Sequence, residues 1–190
     1  MTSDYAPLIL KPLDRPARLA DLPMPSRVGL DAPAESVMTD LREARAGYIS
    51  PDRSVAEAQA AMTGRGVRLL FVLDEAREIA GVLTMTDLAG EKVVRFMQDR
   101  GIARGDVTVG DVMTPAGELQ AVSLAQVKGM RVGHVVATLK ATGRQHITVA
   151  DGNCVCGVFS TQRIARQLGI AFDTFAVAST FAEIEAALAG

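Results

Sequence analysis

The chain has 190 residues and is 48% hydrophobic, enough for one medium domain or two small ones with a packed core. Its 20 basic and 22 acidic residues are intermixed and leave a formal charge of −2, which excludes the broad basic field of a typical nucleic-acid binder. Cys154 and Cys156 are spaced badly for a structural disulfide, Met1-Thr2-Ser3-Asp4 lacks a signal peptide's basic start, and no apolar run reaches spanning length, so the expectation is a cytoplasmic protein off the membrane.

In chain order, residues 1–35 hold six of the eight prolines (Pro7, Pro12, Pro16, Pro23, Pro25 and Pro33), which remove backbone donors and stop long helices. This stretch reads as an arm, and its apolar residues predict that it lies along the folded body or a partner subunit. Ser36-Val37-Met38-Thr39 then opens a unit, and Asp111-Val112-Met113-Thr114 opens another. Val55 to Met62 has helical apolar spacing, repeated at Val132 to Leu139 after 77 positions. Gly66 and Gly143 are placed to end these helices. The apolar runs Leu69 to Asp74 and His146 to Asp151 predict strands, and Ile79 to Thr84 and Val155 to Ser160 predict their partners across a turn.

Each unit therefore reads as short strand, helix, strand, turn, strand, helix, with roughly sixty residues and too little core to be comfortable alone. Residues 88–103, with Leu88, Val93, Val94, Phe96, Met97 and Ile102, predict an amphipathic helix and connector between the units. Thr180 and Glu183 form a capping-box pattern, and Phe181, Ile184 and Leu188 follow it at helical spacing. The expected boundaries are an arm at 1–35, a first unit at 36–103, a second at 104–170 and a C-terminal segment with a short helix at 171–190.

The doubled pattern, Val-Met-Thr at the opening and Gly-Val-x-Thr or Ser at the close, resembles the cystathionine β-synthase (CBS) domain pair, or Bateman module, over about residues 36–170. The resemblance implies an α/β (α+β) fold with pseudo-two-fold symmetry, in which small mixed sheets flanked by helices pack together and leave two clefts. It further implies a non-catalytic regulatory sensor that binds an adenosyl ligand (AMP, ADP, ATP or S-adenosylmethionine), pairs as a homodimer and signals to a protein partner. No obligatory cofactor is implied. The family's ribose-binding signature stands in Gly81-Val82-Leu83-Thr84-Met85-Thr86-Asp87, with Asp87 as the ribose acceptor and Thr84 as a hydroxyl contact. By the same resemblance adenine would lie against Tyr48 or Ile49 and Val67, while Arg68 and His146 could reach phosphates. The second copy departs from the signature, because Ser160 keeps the hydroxyl but Arg163 replaces the carboxylate.

Other readings compete. Thr84-x-x-Asp87 is also a capping box, which needs no ligand. Cys154 and Cys156 could face a metal but lack a second close pair, so packing is the simpler reading. His146 in an apolar strand reads as a core or edge histidine, and His134 as a surface residue on a helix. The methionines read as core filling, and Arg65 and Arg104 as surface charges. With no nucleophile motif, paired carboxylates or phosphate-cradling glycine loop, an enzyme is not expected. The competing function is a scaffold whose clefts are vestigial.

Overall fold

The computed structural model describes residues 27–169. The first half contains β1 (Thr39–Asp40), β2 (Tyr48–Ile49), α1 (Val55–Arg65), β3 (Leu69–Leu73), β4 (Ile79–Thr84), α2 (Met85–Ala89) and α3 (Glu91–Arg100). The second contains α4 (Val109–Val112), β5 (Thr114–Pro115), β6 (Ala121–Ser123), α5 (Leu124–Lys128), α6 (Val132–Thr142), β7 (His146–Asp151), β8 (Cys154–Ser160) and α7 (Thr161–Leu168). The expected C-terminal helix from Thr180 lies outside the described residues, as does most of the proline-rich arm.

Local chemistry sets the helix ends. Ser54 caps α1: its hydroxyl accepts from the Glu57 N–H, and the Glu57 carboxylate accepts from the Ser54 N–H. Gly66 and Gly143 end α1 and α6 with φ of +64° and +63°, a left-handed conformation that costs other residues energy. The connector expected at 88–103 is broken in two at Gly90, where a Cβ would lie 2.7 Å from the Thr86 carbonyl oxygen. Val93 is buried and Phe96, Met97 and Ile102 pack against the core, whereas Val94 is half exposed.

Two four-stranded sheets result, ordered β2-β3-β4-β5 and β1-β8-β7-β6. The openings of the two halves are exchanged. Thr39 and Asp40 pair antiparallel with Val158 and Gly157, and Thr114 and Pro115 with Val82 and Gly81. The sequence predicts an opening strand for each unit, but hydrogen bonding places each one in the other unit's sheet. Glycine permits this, since a Cβ on Gly157 would meet the Met38 sulfur at 2.5 Å and one on Gly81 would overlap the Thr114 carbonyl oxygen.

Strand alternation builds three packed regions. Leu70, Val72 and Leu83 face a core shared with α1, α2 and α3, while Ile147, Val149 and Phe159 face one shared with α5, α6 and α7. Phe71, Val82 and Val158 form a smaller cluster, flanked by Leu69, Leu73 and Val155, that joins the two sheets. The last residues of the arm lie on the body: Val28 N–H donates to the Gln167 carbonyl, Val132 N–H to Ala32 and Gly133 N–H to Leu30. Val28, Leu30 and Ala32 thereby cover the second core.

Candidate functional site

Thr84 ends β4 and caps α2, so the sheet-to-helix turn itself positions the signature residues. Asp87 Oδ2 accepts from Thr84 N at 2.9 Å and from Thr84 Oγ1 at 2.6 Å, while Thr84 Oγ1 accepts from Asp87 N at 3.3 Å. The capping box that competes with ligand binding is thus fully formed. Asp87 Oδ1 is engaged as well, by Lys92 Nζ at 2.9 Å. Lys92, in the first turn of α3, also reaches the Val112 carbonyl and Thr114 Oγ1, both at 3.4 Å. Sequence reasoning missed Lys92, because its partners come from α2, α4 and β5.

The carbonyl of Arg68 accepts the Met85 N–H at 2.9 Å, which holds the start of β3 against the same turn. Arg68 also acts electrostatically on His146, from the opposite half of the molecule. Burial, and then the Arg68 charge, hold the His146 imidazole down at about 4. Its Nδ1 is buried and has no hydrogen-bond partner among the described residues. Val67 packs against the first core beside this turn.

Tyr48 and Ile49 lie apart from Asp87. Alternation along β2 turns Ile49 into the first core, at 9% exposure, and turns Tyr48 outward, at 48%. The guanidinium groups of Arg65 and Arg77 lie 5.9 and 5.6 Å from the Tyr48 ring centroid. Tyr48 and Ile49 line a groove of about 460 Å³ with Arg53, Glu57, Arg65 and Arg77. Asp87 lines a second groove of about 460 Å³ with Lys92, Arg95, Phe96, Asp111 and Met113. Neither groove unites the aromatic wall expected for adenine with the expected ribose acceptor, because β3 lies between β2 and β4.

In the second half, Ser160 makes no side-chain cap bond and Arg163 is exposed, so the pair does not reproduce the reciprocal Thr84–Asp87 arrangement. Arg65 and Arg104 bond backbone carbonyls of Tyr48 and Leu88. His134 is exposed, as expected, but its Nδ1 also accepts the Arg131 N–H at 3.0 Å and caps α6. Cys156 is buried with Sγ 3.6 Å from the Val149 carbonyl, whereas Cys154 is exposed, so the two thiols occupy different environments. Met38 and Met62 are core residues, and Met85, Met97, Met113 and Met130 pack at its edges. Among the described residues no group of three His, Cys, Asp or Glu side chains is arranged to hold a metal, and no helix is long and apolar enough to cross a membrane.

An internally duplicated α/β module, with two mixed sheets packed together and opening strands exchanged, is the class that this geometry defines. Residues 34–94 match the family model of the CBS domain, and the described chain has the fold of a CBS-domain pair. A structure of an uncharacterized conserved protein from Pyrococcus horikoshii is similar at 20% identity and a TM-score of 0.56, covering 77% of this chain and 98% of that one. A CBS-domain containing protein from Agrobacterium tumefaciens is similar at 18% identity and a TM-score of 0.54, covering 79% and 98%. CBSX2, a CBS-pair protein from Arabidopsis thaliana, has been solved in complex with AMP; that structure shares 20% identity and a TM-score of 0.51, covering 71% of this chain and 94% of its own. No match was found among curated proteins.

Proposed function

We propose that the protein is a non-catalytic regulatory module that binds an adenosyl ligand, AMP, ADP, ATP or S-adenosylmethionine, at the Thr84–Asp87 turn. Ligand occupancy changes the geometry of a homodimer read by a protein partner. The observation that carries this reading is the seating of Gly81 to Asp87 at the β4–α2 turn, with a carboxylate and a hydroxyl side by side, in a fold shared with a protein solved with AMP. Arg68 and His146, in electrostatic contact across the two halves, add cationic and hydrogen-bonding capacity for phosphate.

Calorimetric titration with AMP, ADP, ATP and S-adenosylmethionine tests the reading. Saturable binding is expected, and Asp87→Asn should weaken it by on the order of 1.5–3 kcal/mol, the loss of a charged hydrogen-bond acceptor. Ser123→Ala is the control, because Ser123 makes the same kind of box with Gln126 at α5 and lines neither groove. It should lower stability by about as much as Asp87→Asn and leave binding intact. Absence of binding at millimolar nucleotide, or equal affinity in Asp87→Asn, overturns the assignment. If no nucleotide binds, a scaffold with vestigial clefts is the favoured reading, supported by the engagement of both Asp87 oxygens and by Arg163 in the second half.

A further inference from the structure

Resting on the ribose reading of Asp87, we infer that Lys92 is a specificity-determining residue of that site: it occupies the carboxylate oxygen a ribose diol needs and ties occupancy to the opening segment of the second half. A carboxylate offers about four acceptor positions. Thr84 N and Thr84 Oγ1 take two on Oδ2, and Lys92 Nζ takes one on Oδ1. A vicinal diol donates two hydrogens and finds one position open.

One bond must yield, and it is the one from Lys92. The Thr84 N–H bond belongs to the cap of α2 and the Thr84 hydroxyl is held in place by accepting from Asp87 N, whereas the Lys92 side chain is 49% exposed at the end of a flexible stem. An ammonium has three donors, and Lys92 spends them on Asp87, the Val112 carbonyl and Thr114 Oγ1. Losing Asp87 leaves only the two contacts at 3.4 Å, which link α3 to α4 and β5. Because Lys92 touches Thr114 in β5, which pairs with β4 at Val82, the change reaches the exchanged opening strand of the second half directly. A ligand that presents one hydroxyl can use the open position and leaves Lys92 in place.

Calorimetry with AMP and 2′-deoxyadenosine monophosphate on the full chain tests this, comparing wild type with Lys92→Met and with the charge-retaining Lys92→Arg. Lys92→Met should bind AMP about two- to fivefold more tightly, the size expected for relief of an exposed ion pair, and should bind the deoxy compound with nearly unchanged affinity. Lys92→Arg should behave as wild type. AMP should also speed amide exchange of residues 109–114 in wild type but not in Lys92→Met. Unchanged or weaker AMP binding by Lys92→Met, with Asp87-dependent binding by wild type, overturns this inference alone; AMP binding to neither protein overturns the ribose reading and this inference together.

Discussion

His146 has its pKa lowered chiefly by burial. In the folded protein its imidazole stays neutral down to about pH 4, against 6.5 for the free side chain, because burial and then Arg68 disfavour the cation. Between those values the unfolded chain binds the extra proton, so stability rises with pH across the window and is lost as pH falls from 6.5 toward 4. The slope is at most about 1.4 kcal/mol per pH unit. Chemical denaturation at pH 4.5 and 7 should show this loss in wild type and a much smaller one in His146→Gln; equal losses in both would sink the assignment. Asp40, held down to about 2 by hydrogen bonds from Arg42, and Glu57, lowered by hydrogen bonds from Ser54, lose stabilisation at the acid end in wild type and His146→Gln alike, so their contributions cancel between the two.

At the level of elements, the same glycine serves two ends. Gly81 and Gly157 stand in the closing motif of each half, and the structure gives them a packing reason independent of any ligand. Each leaves room for the exchanged opening strand, so that Met113 and Thr114 lie over Gly81 and Met38 over Gly157. Gly81→Ala and Gly157→Ala should each cost about 1–3 kcal/mol by overpacking, measured as a lower midpoint in urea. Gly117→Ala is the control, because a Cβ there meets nothing within 4 Å, and it should be nearly neutral. If Gly81→Ala were as harmless as Gly117→Ala, β5 would not be seated as described.

At the scale of the whole molecule, the exchange makes the two halves interdependent. A fragment of residues 36–103 keeps β1 without β8 and exposes β4 without β5, while 104–170 lacks β1 and leaves that edge of β8 unpaired. Each alone also exposes its share of the Phe71, Val82 and Val158 cluster. The two fragments are expected to be largely unfolded when separate and to regain helical and strand signal when mixed, as read by far-ultraviolet circular dichroism. A fragment 36–103 that unfolds cooperatively by itself would show that the exchange contributes little.

The sequence by itself determined the elements and their duplication. The 77-residue echo, the capping residue Thr84, the helix-ending glycines and the apolar alternation are local signals, and the structure places helices and strands where they predict among the described residues. Thr84 beside Asp87 was equally legible, because a capping box is read from positions three apart. What only the tertiary structure decided are choices between partners. Two-residue strands such as β1 and β5 carry too few side chains to say which sheet they join, and β2 alternation sent Ile49 inward and Tyr48 toward Arg65 and Arg77. Whether the Asp87 carboxylate stands open was likewise decided in three dimensions, since Lys92 reaches it only when Gly90 breaks the helix and brings α3 alongside α4 and β5.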